Sequence, residues 1–141
     1  MLKFFLDSSF IVELLKGNKI AKEINSLLIE SEEILLFYNH IVLSEVIYQL
    51  HFKRNLRLSL IEEILNEFIL LDLNQATKDL ALRYMKKYNL KPNDAFILAT
   101  CKHYSVPNLI SLDSDFQVAC KKEEIVLINS AEELKRILSL T

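Results

Sequence analysis

Short apolar runs alternate along the chain with segments of helical period, and that alternation limits the fold more than any other feature. Lys3 to Leu6 reads as a first strand. A short helix from Ser9 to Lys16 follows, and Gly17 ends it. Ile20, Ile24, Leu27 and Leu28 space a second helix across Lys19 to Ile29. Ile34 to Phe37 is the second strand. Asn39 then caps a helix expected to reach about Arg54, with Ile41, Val42, Val46, Ile47 and Leu50 on one broad face. A further helix covers Leu58 to Glu67. Phe68 to Leu71 reads as a third strand, with helix continuation as the alternative. Ala76 to Tyr88 is helical, and Pro92-Asn93 opens a helix through Tyr104. Pro107 breaks the chain before a fourth strand, Leu109 to Leu112. A short helix comes after Asp115, and Ile125 to Ile128 is the fifth strand. Ser130-Ala131-Glu132-Glu133 matches a capping box for the last helix.

Strands alternating with helices imply a parallel sheet covered on both faces, an α/β fold. The 141 residues suit a single domain, 1–141, large enough for a core without staples. Ligands of such sheets bind outside the carboxyl ends of the strands. Gly17 is the single glycine, so the clustered glycines of a Walker loop or a dinucleotide fingerprint are absent. Cys101 and Cys120 have neither CxxC nor zinc spacing and read as core thiols. The apolar start, Met1 to Leu6, meets Asp7 too soon for a signal peptide or a membrane span, so the expected location is cytoplasmic. A net charge of −2 argues against a passive nucleic-acid binding module but not against a nuclease with an acidic site.

Four carboxylates fall where the sheet rule says to look. Asp7 follows the first strand and Asp113 the fourth. Asp94 starts the helix leading into the fourth strand, and Glu45 lies early in the helix after the second. Each has a plainer reading. Asp7 can cap the helix behind it, Asp94 can answer a helix dipole, and Asp113 can hold a turn. Glu45 is harder to explain away, because Ile41-Val42-Leu43-Ser44-Glu45-Val46-Ile47 is otherwise apolar and a carboxylate there is costly unless paired or metal-bound. Together the four would repel one another, and a divalent cation removes that conflict. Oxygen-only ligation suits Mg²⁺ or Mn²⁺ better than zinc, and such a site serves phosphate chemistry.

These residues carry a family likeness. Leu6-Asp7-Ser8-Ser9, Leu43-Ser44-Glu45-Val46, Asn93-Asp94-Ala95-Phe96-Ile97-Leu98-Ala99-Thr100 and Ser111-Leu112-Asp113-Ser114-Asp115-Phe116, in that order along nearly the whole chain, resemble PIN-domain ribonucleases, particularly the VapC-type toxins of toxin–antitoxin pairs. The resemblance implies a three-layer α/β/α sandwich with a five-stranded parallel sheet. It implies Asp7, Glu45, Asp94 and Asp113 as catalytic ligands for Mg²⁺ or Mn²⁺, with Ser9 and Ser111 supporting them and Asp115 sometimes joining the metal. Ser111 stands where threonine is commoner. The implied reaction is metal-assisted hydrolysis of RNA, leaving a 5′ phosphate, and the implied partners are an antitoxin peptide and a second copy of the chain.

Lys16 and Lys102, each a turn or two beyond an acidic motif, are the expected RNA-backbone contacts. Lys53, Arg54, Arg57, Lys121 and Lys122 read as solvated surface, and Tyr48, Tyr84, Tyr88 and Tyr104 as core or interface. Leu43, Tyr48, Leu60 and Ile69 are surplus to one core, which points to a homodimer. A haloacid-dehalogenase-type phosphatase fails because position 9 is serine, and a receiver domain fails for lack of an acidic pair by the first strand. A stand-alone RNA-processing nuclease and an inactive PIN-like binding or assembly module remain as alternatives.

Overall fold

The computed structural model describes residues 1–140. Strands β1 (Leu2–Leu6), β2 (Ile34–Asn39), β3 (Ile69–Leu71), β4 (Asn108–Ile110) and β5 (Val126–Ile128) form one sheet in the order β3-β2-β1-β4-β5. Every neighbouring pair is parallel. Among the described residues eight helices flank it: α1 (Ser8–Leu15), α2 (Lys19–Glu30), α3 (His40–Ile47), α4 (Leu58–Leu65), α5 (Gln75–Tyr88), α6 (Pro92–His103), α7 (Gln117–Lys122) and α8 (Ala131–Ser139). The architecture is the expected three-layer α/β/α sandwich.

The chain steps outward from β1 to β2 and β3, then returns to the other side of β1 for β4 and β5. That reversal opens a crevice beyond the carboxyl ends of β1 and β4, where ligands of such sheets bind. Phe4, Phe5 and Leu6 of the central strand are fully buried, as a strand covered on both faces requires. Cys101 and Cys120 are buried thiols in the same core. No helix of the described residues is long and apolar enough to cross a membrane.

Short polar side chains set where the helices begin. Asn18 accepts from the Ala21 N–H, Asn39 from Val42, Asn74 from Thr77 and Ser130 from Glu133, each satisfying an orphan donor of a first turn. Asn39 does more. Its Nδ2 donates to Thr100 Oγ1 at 2.9 Å, and that hydroxyl donates on to the Phe96 carbonyl at 2.7 Å. This buried pair ties the start of α3 to α6, the two helices that carry Glu45 and Asp94.

Three expectations are corrected. The helix from Asn39 does not run unbroken to Arg54. It ends as α-helix at Ile47 and widens into a π-helical turn over Tyr48–Phe52, where the Lys53 N–H donates to the Tyr48 carbonyl at 3.1 Å. Asn55, at φ 58°, then turns the chain in the left-handed region that asparagine tolerates. The fourth strand stops at Ile110, short of Leu112, and the Ser111 side chain just beyond it bonds to Asp7. Of the side chains expected to be surplus, Tyr48 and Ile69 are exposed, whereas Leu43 packs half-buried against the core and Leu60 is half-buried.

Candidate active site

Asp7 leaves β1 with its N–H donating to the Ile110 carbonyl at 3.0 Å, so the ends of β1 and β4 stay in register past the last ladder pair. It occupies the cap position of α1 yet makes no side-chain cap bond. Its Oδ2 instead accepts from Ser9 Oγ at 2.6 Å and Ser111 Oγ at 2.7 Å. Those hydroxyls are themselves held, Ser9 by the Leu112 N–H and Ser111 by the Asp113 N–H, each at 3.0 Å. The loop after β4 is thus laced onto the loop after β1 through one carboxylate. Burial pushes the Asp7 carboxyl above its ordinary range, and the two hydroxyl bonds oppose that push.

Glu45 lies on the second turn of α3, half-buried. Ser8 Oγ donates to its Oε1 at 2.9 Å and Asn93 Nδ2 to its Oε2 at 3.2 Å. These bonds explain how a carboxylate sits in an apolar stretch. Sequence reasoning missed both donors, although each is the immediate neighbour of an acidic residue it did identify.

Asp94 occupies the first turn of α6, behind Pro92, which starts the helix. Oxygens of Asp94, Asp113 and Asp115 lie within 4.8 Å of one another. The Asp94 carboxyl is pushed up to about 7, first by burial and then by the charges of Asp113, Asp7, Asp115 and Glu45. A helix N-terminus should favour the ionised form, so these opposing effects outweigh the dipole. Asp113 also holds its turn, with Oδ1 accepting from the Asp115 N–H at 2.9 Å. The five carboxylates therefore converge, with a division of position. Asp94, Asp113 and Asp115 form the tight group, while Asp7 and Glu45 flank it, each held by hydroxyl or amide donors. Asp115 is closer to the centre than its sequence role as an occasional member suggested.

Among the described residues none of these acids has an ion pair with Lys or Arg. The donor set is oxygen only and charge-rich, which fits a hard divalent cation. Lys91 lines the cleft with Glu45, Asn93, Asp94, Asp113 and Asp115 and was not singled out from sequence. An adjoining groove shares Glu45 and Asn93 with that cleft and carries Lys16, whose ammonium lies 3.6 Å from Glu13. Lys102 is placed differently from expectation. It projects from the last turn of α6, the opposite end from Asp94, and donates to the Glu123 carbonyl at 2.8 Å.

The family model described as PIN domain matches residues 4–122. The chain is 34% identical over 131 residues to a protein named Ribonuclease VapC2 from Methanocaldococcus jannaschii, covering 82% of this chain and 87% of that one. In fold it resembles VapBC2 from Rickettsia felis, solved bound to a DNA fragment from their promoter, with a TM-score of 0.72 at 14% identity, covering 91% of this chain and 98% of that one. It also resembles a toxin–antitoxin complex from Klebsiella pneumoniae, with a TM-score of 0.66 at 23% identity, covering 79% and 88%.

Proposed function

Because the chain belongs to the PIN-domain family, we propose that it is a ribonuclease, the toxin of a toxin–antitoxin pair, and that it hydrolyses RNA with Mg²⁺ or Mn²⁺. The observation that carries this reading is the convergence of Asp94, Asp113 and Asp115, whose oxygens lie within 4.8 Å of one another with no ion-paired lysine or arginine among the described residues, and where burial and the neighbouring acids raise the Asp94 carboxyl. An arrangement that strains its own ionisation is suited to a cation that relieves it.

Asp94, Asp113 and Asp115 would hold the cation, with Asp7 behind them. When bound, Mg²⁺ or Mn²⁺ acidifies a water and neutralises charge on the phosphoryl oxygens. Ser9 and Ser111 keep Asp7 fixed by donating to it, and their bonds oppose the upward push of burial on its carboxyl. Glu45, its two oxygens set by Ser8 and Asn93, is the base that takes a proton from the attacking water. The water oxygen bonds to phosphorus as the bond to the 3′ oxygen breaks, and that oxygen takes up a proton from solvent, leaving a 5′ phosphate and a 3′ hydroxyl. Lys91 at the cleft rim and Lys16 in the adjoining groove face the RNA backbone.

The relatives' names motivate the partners. An antitoxin segment that places a basic side chain among these carboxylates competes with the cation and so silences the enzyme. Exposed Phe52, Leu58, Ile69 and Leu70 fit a two-fold homodimer. Purified protein incubated with single-stranded RNA and Mg²⁺ should yield 5′-phosphorylated fragments. Fragments ending in cyclic phosphate, or equal cleavage by Asp113→Asn prepared in parallel, would reject the proposed chemistry.

A further inference from the structure

Tyr48 stands where α3 gives way to the π-helical turn, and it remains 55% exposed. It lines the groove that continues from the acidic cleft, of which Glu45 and Asn93 form the shared wall. Lys16 lies on the same groove, and the Lys53 ammonium sits 5.3 Å from the centroid of the Tyr48 ring. We propose that Tyr48 is the stacking platform for one unpaired base of the RNA, next to the phosphate that is cut, with Lys16 and Lys53 taking the backbone on either side of it. This inference rests on the ribonuclease reading and names the substrate as single-stranded at that position.

Three observations lead to it. Lys91 is the one lysine in a cleft otherwise rich in acids, so the RNA gains further affinity outside that cleft. The adjoining groove adds Lys16, an aromatic face and the amide of Gln49. The turn itself is π-helical rather than α-helical, a rare form that is frequent at functional sites. A second copy of the chain is the rival occupant. The apolar hollow on the other side of Tyr48, formed by Leu43, Ile47 and Phe52, suits that partner better than the polar groove does.

The test compares wild type, Tyr48→Phe, Tyr48→Ala and Tyr48→Leu on a short single-stranded RNA that the enzyme cuts. The same RNA is also prepared with the base removed at each position flanking the cut. Stacking predicts that Tyr48→Ala and Tyr48→Leu raise KM by about 5- to 150-fold with kcat little changed, while Tyr48→Phe stays near wild type. Removing one flanking base should raise the wild-type KM similarly and leave Tyr48→Ala unaffected. The inference is overturned if Tyr48→Ala and Tyr48→Leu keep the wild-type KM. It is equally overturned if they lose as much on base-free as on intact RNA, or if light scattering traces their defect to a lost dimer. Wild type that cuts no RNA at all overturns the ribonuclease reading itself.

Discussion

Ser111 and Asp7, 104 positions apart in the chain, are joined by a 2.7 Å hydrogen bond from hydroxyl to buried carboxylate. The same hydroxyl accepts from the Asp113 N–H at 3.0 Å, so one serine fixes two of the acids. Ser111→Ala should lower unfolding stability by about 1–3 kcal/mol in chemical denaturation, because it leaves a buried carboxylate short of a donor. Cleavage should fall with it. Ser111→Thr keeps the hydroxyl and should retain most of both.

Neutralising the acids should separate activity from stability. Asp94→Asn should abolish cleavage while the melting temperature without divalent cation holds or rises, since a repelling charge is removed. Asp7→Asn should also abolish cleavage. It should stabilise less, because its two serine hydroxyls then face an amide in place of a carboxyl. A marked drop in melting temperature for Asp94→Asn would favour a plain helix-dipole role.

Much of this was legible in the sequence. The strand–helix alternation led to a parallel sheet, and the sheet rule led to Asp7, Glu45, Asp94 and Asp113 at one end of it. What escaped was set by packing rather than by periodicity. The apolar face from Ile41 to Leu50 is compatible with an unbroken helix, and no proline or glycine marks the π-helical turn that interrupts it. Asn39 was recognised as a cap, but its bond to Thr100 joins residues 61 positions apart and leaves no local trace. Lys102 was placed by its distance along the chain from Asp94, whereas its direction around α6 turns it to Glu123.

Stability without metal should depend on pH through Asp94. Its value in the folded protein, about 7, lies above the ordinary 3.8. The folded state therefore holds the proton more tightly than the unfolded chain. That contribution is fully present below pH 3.8 and is lost as the pH rises through about 7. The loss, discounted for the half of the group that water reaches, is on the order of 1–2 kcal/mol. Urea denaturation across this window should show it, and Asp94→Asn should flatten it. Mn²⁺ binding at pH 6.5 should release a proton that calorimetry in two buffers can count.

The two lysines should part company. Lys16→Ala should reduce the slope of log affinity against log salt by about 0.7, the value for one lost phosphate contact on a single strand. Lys102→Ala should leave the slope unchanged, because its ammonium is engaged with the Glu123 carbonyl.

Glu123 anchors α5 to the end of α7. It accepts from the Tyr84 hydroxyl at 3.0 Å and from the Tyr88 hydroxyl, and it pairs with Lys87 at 3.5 Å. Burial raises its carboxyl, but these donors outweigh burial and hold it below the ordinary range. Glu123→Ala should cost about 1–3 kcal/mol by orphaning the buried Tyr84 hydroxyl. The cleavage rate of the folded protein at low temperature should be unchanged, which separates this node from the acidic site.

The central claim is that a hard cation held by the converging acids, Asp94 foremost, drives RNA cleavage. Its most direct test is the single-turnover rate on single-stranded RNA, titrated with Mg²⁺ in wild type and Asp94→Asn. The account predicts a saturable rise with Mg²⁺, complete loss in chelator, and a rate for Asp94→Asn lower by roughly 100-fold or more, as for removal of a principal electrostatic group. Undiminished cleavage in chelator, or Asp94→Asn cutting at the wild-type rate, would contradict it.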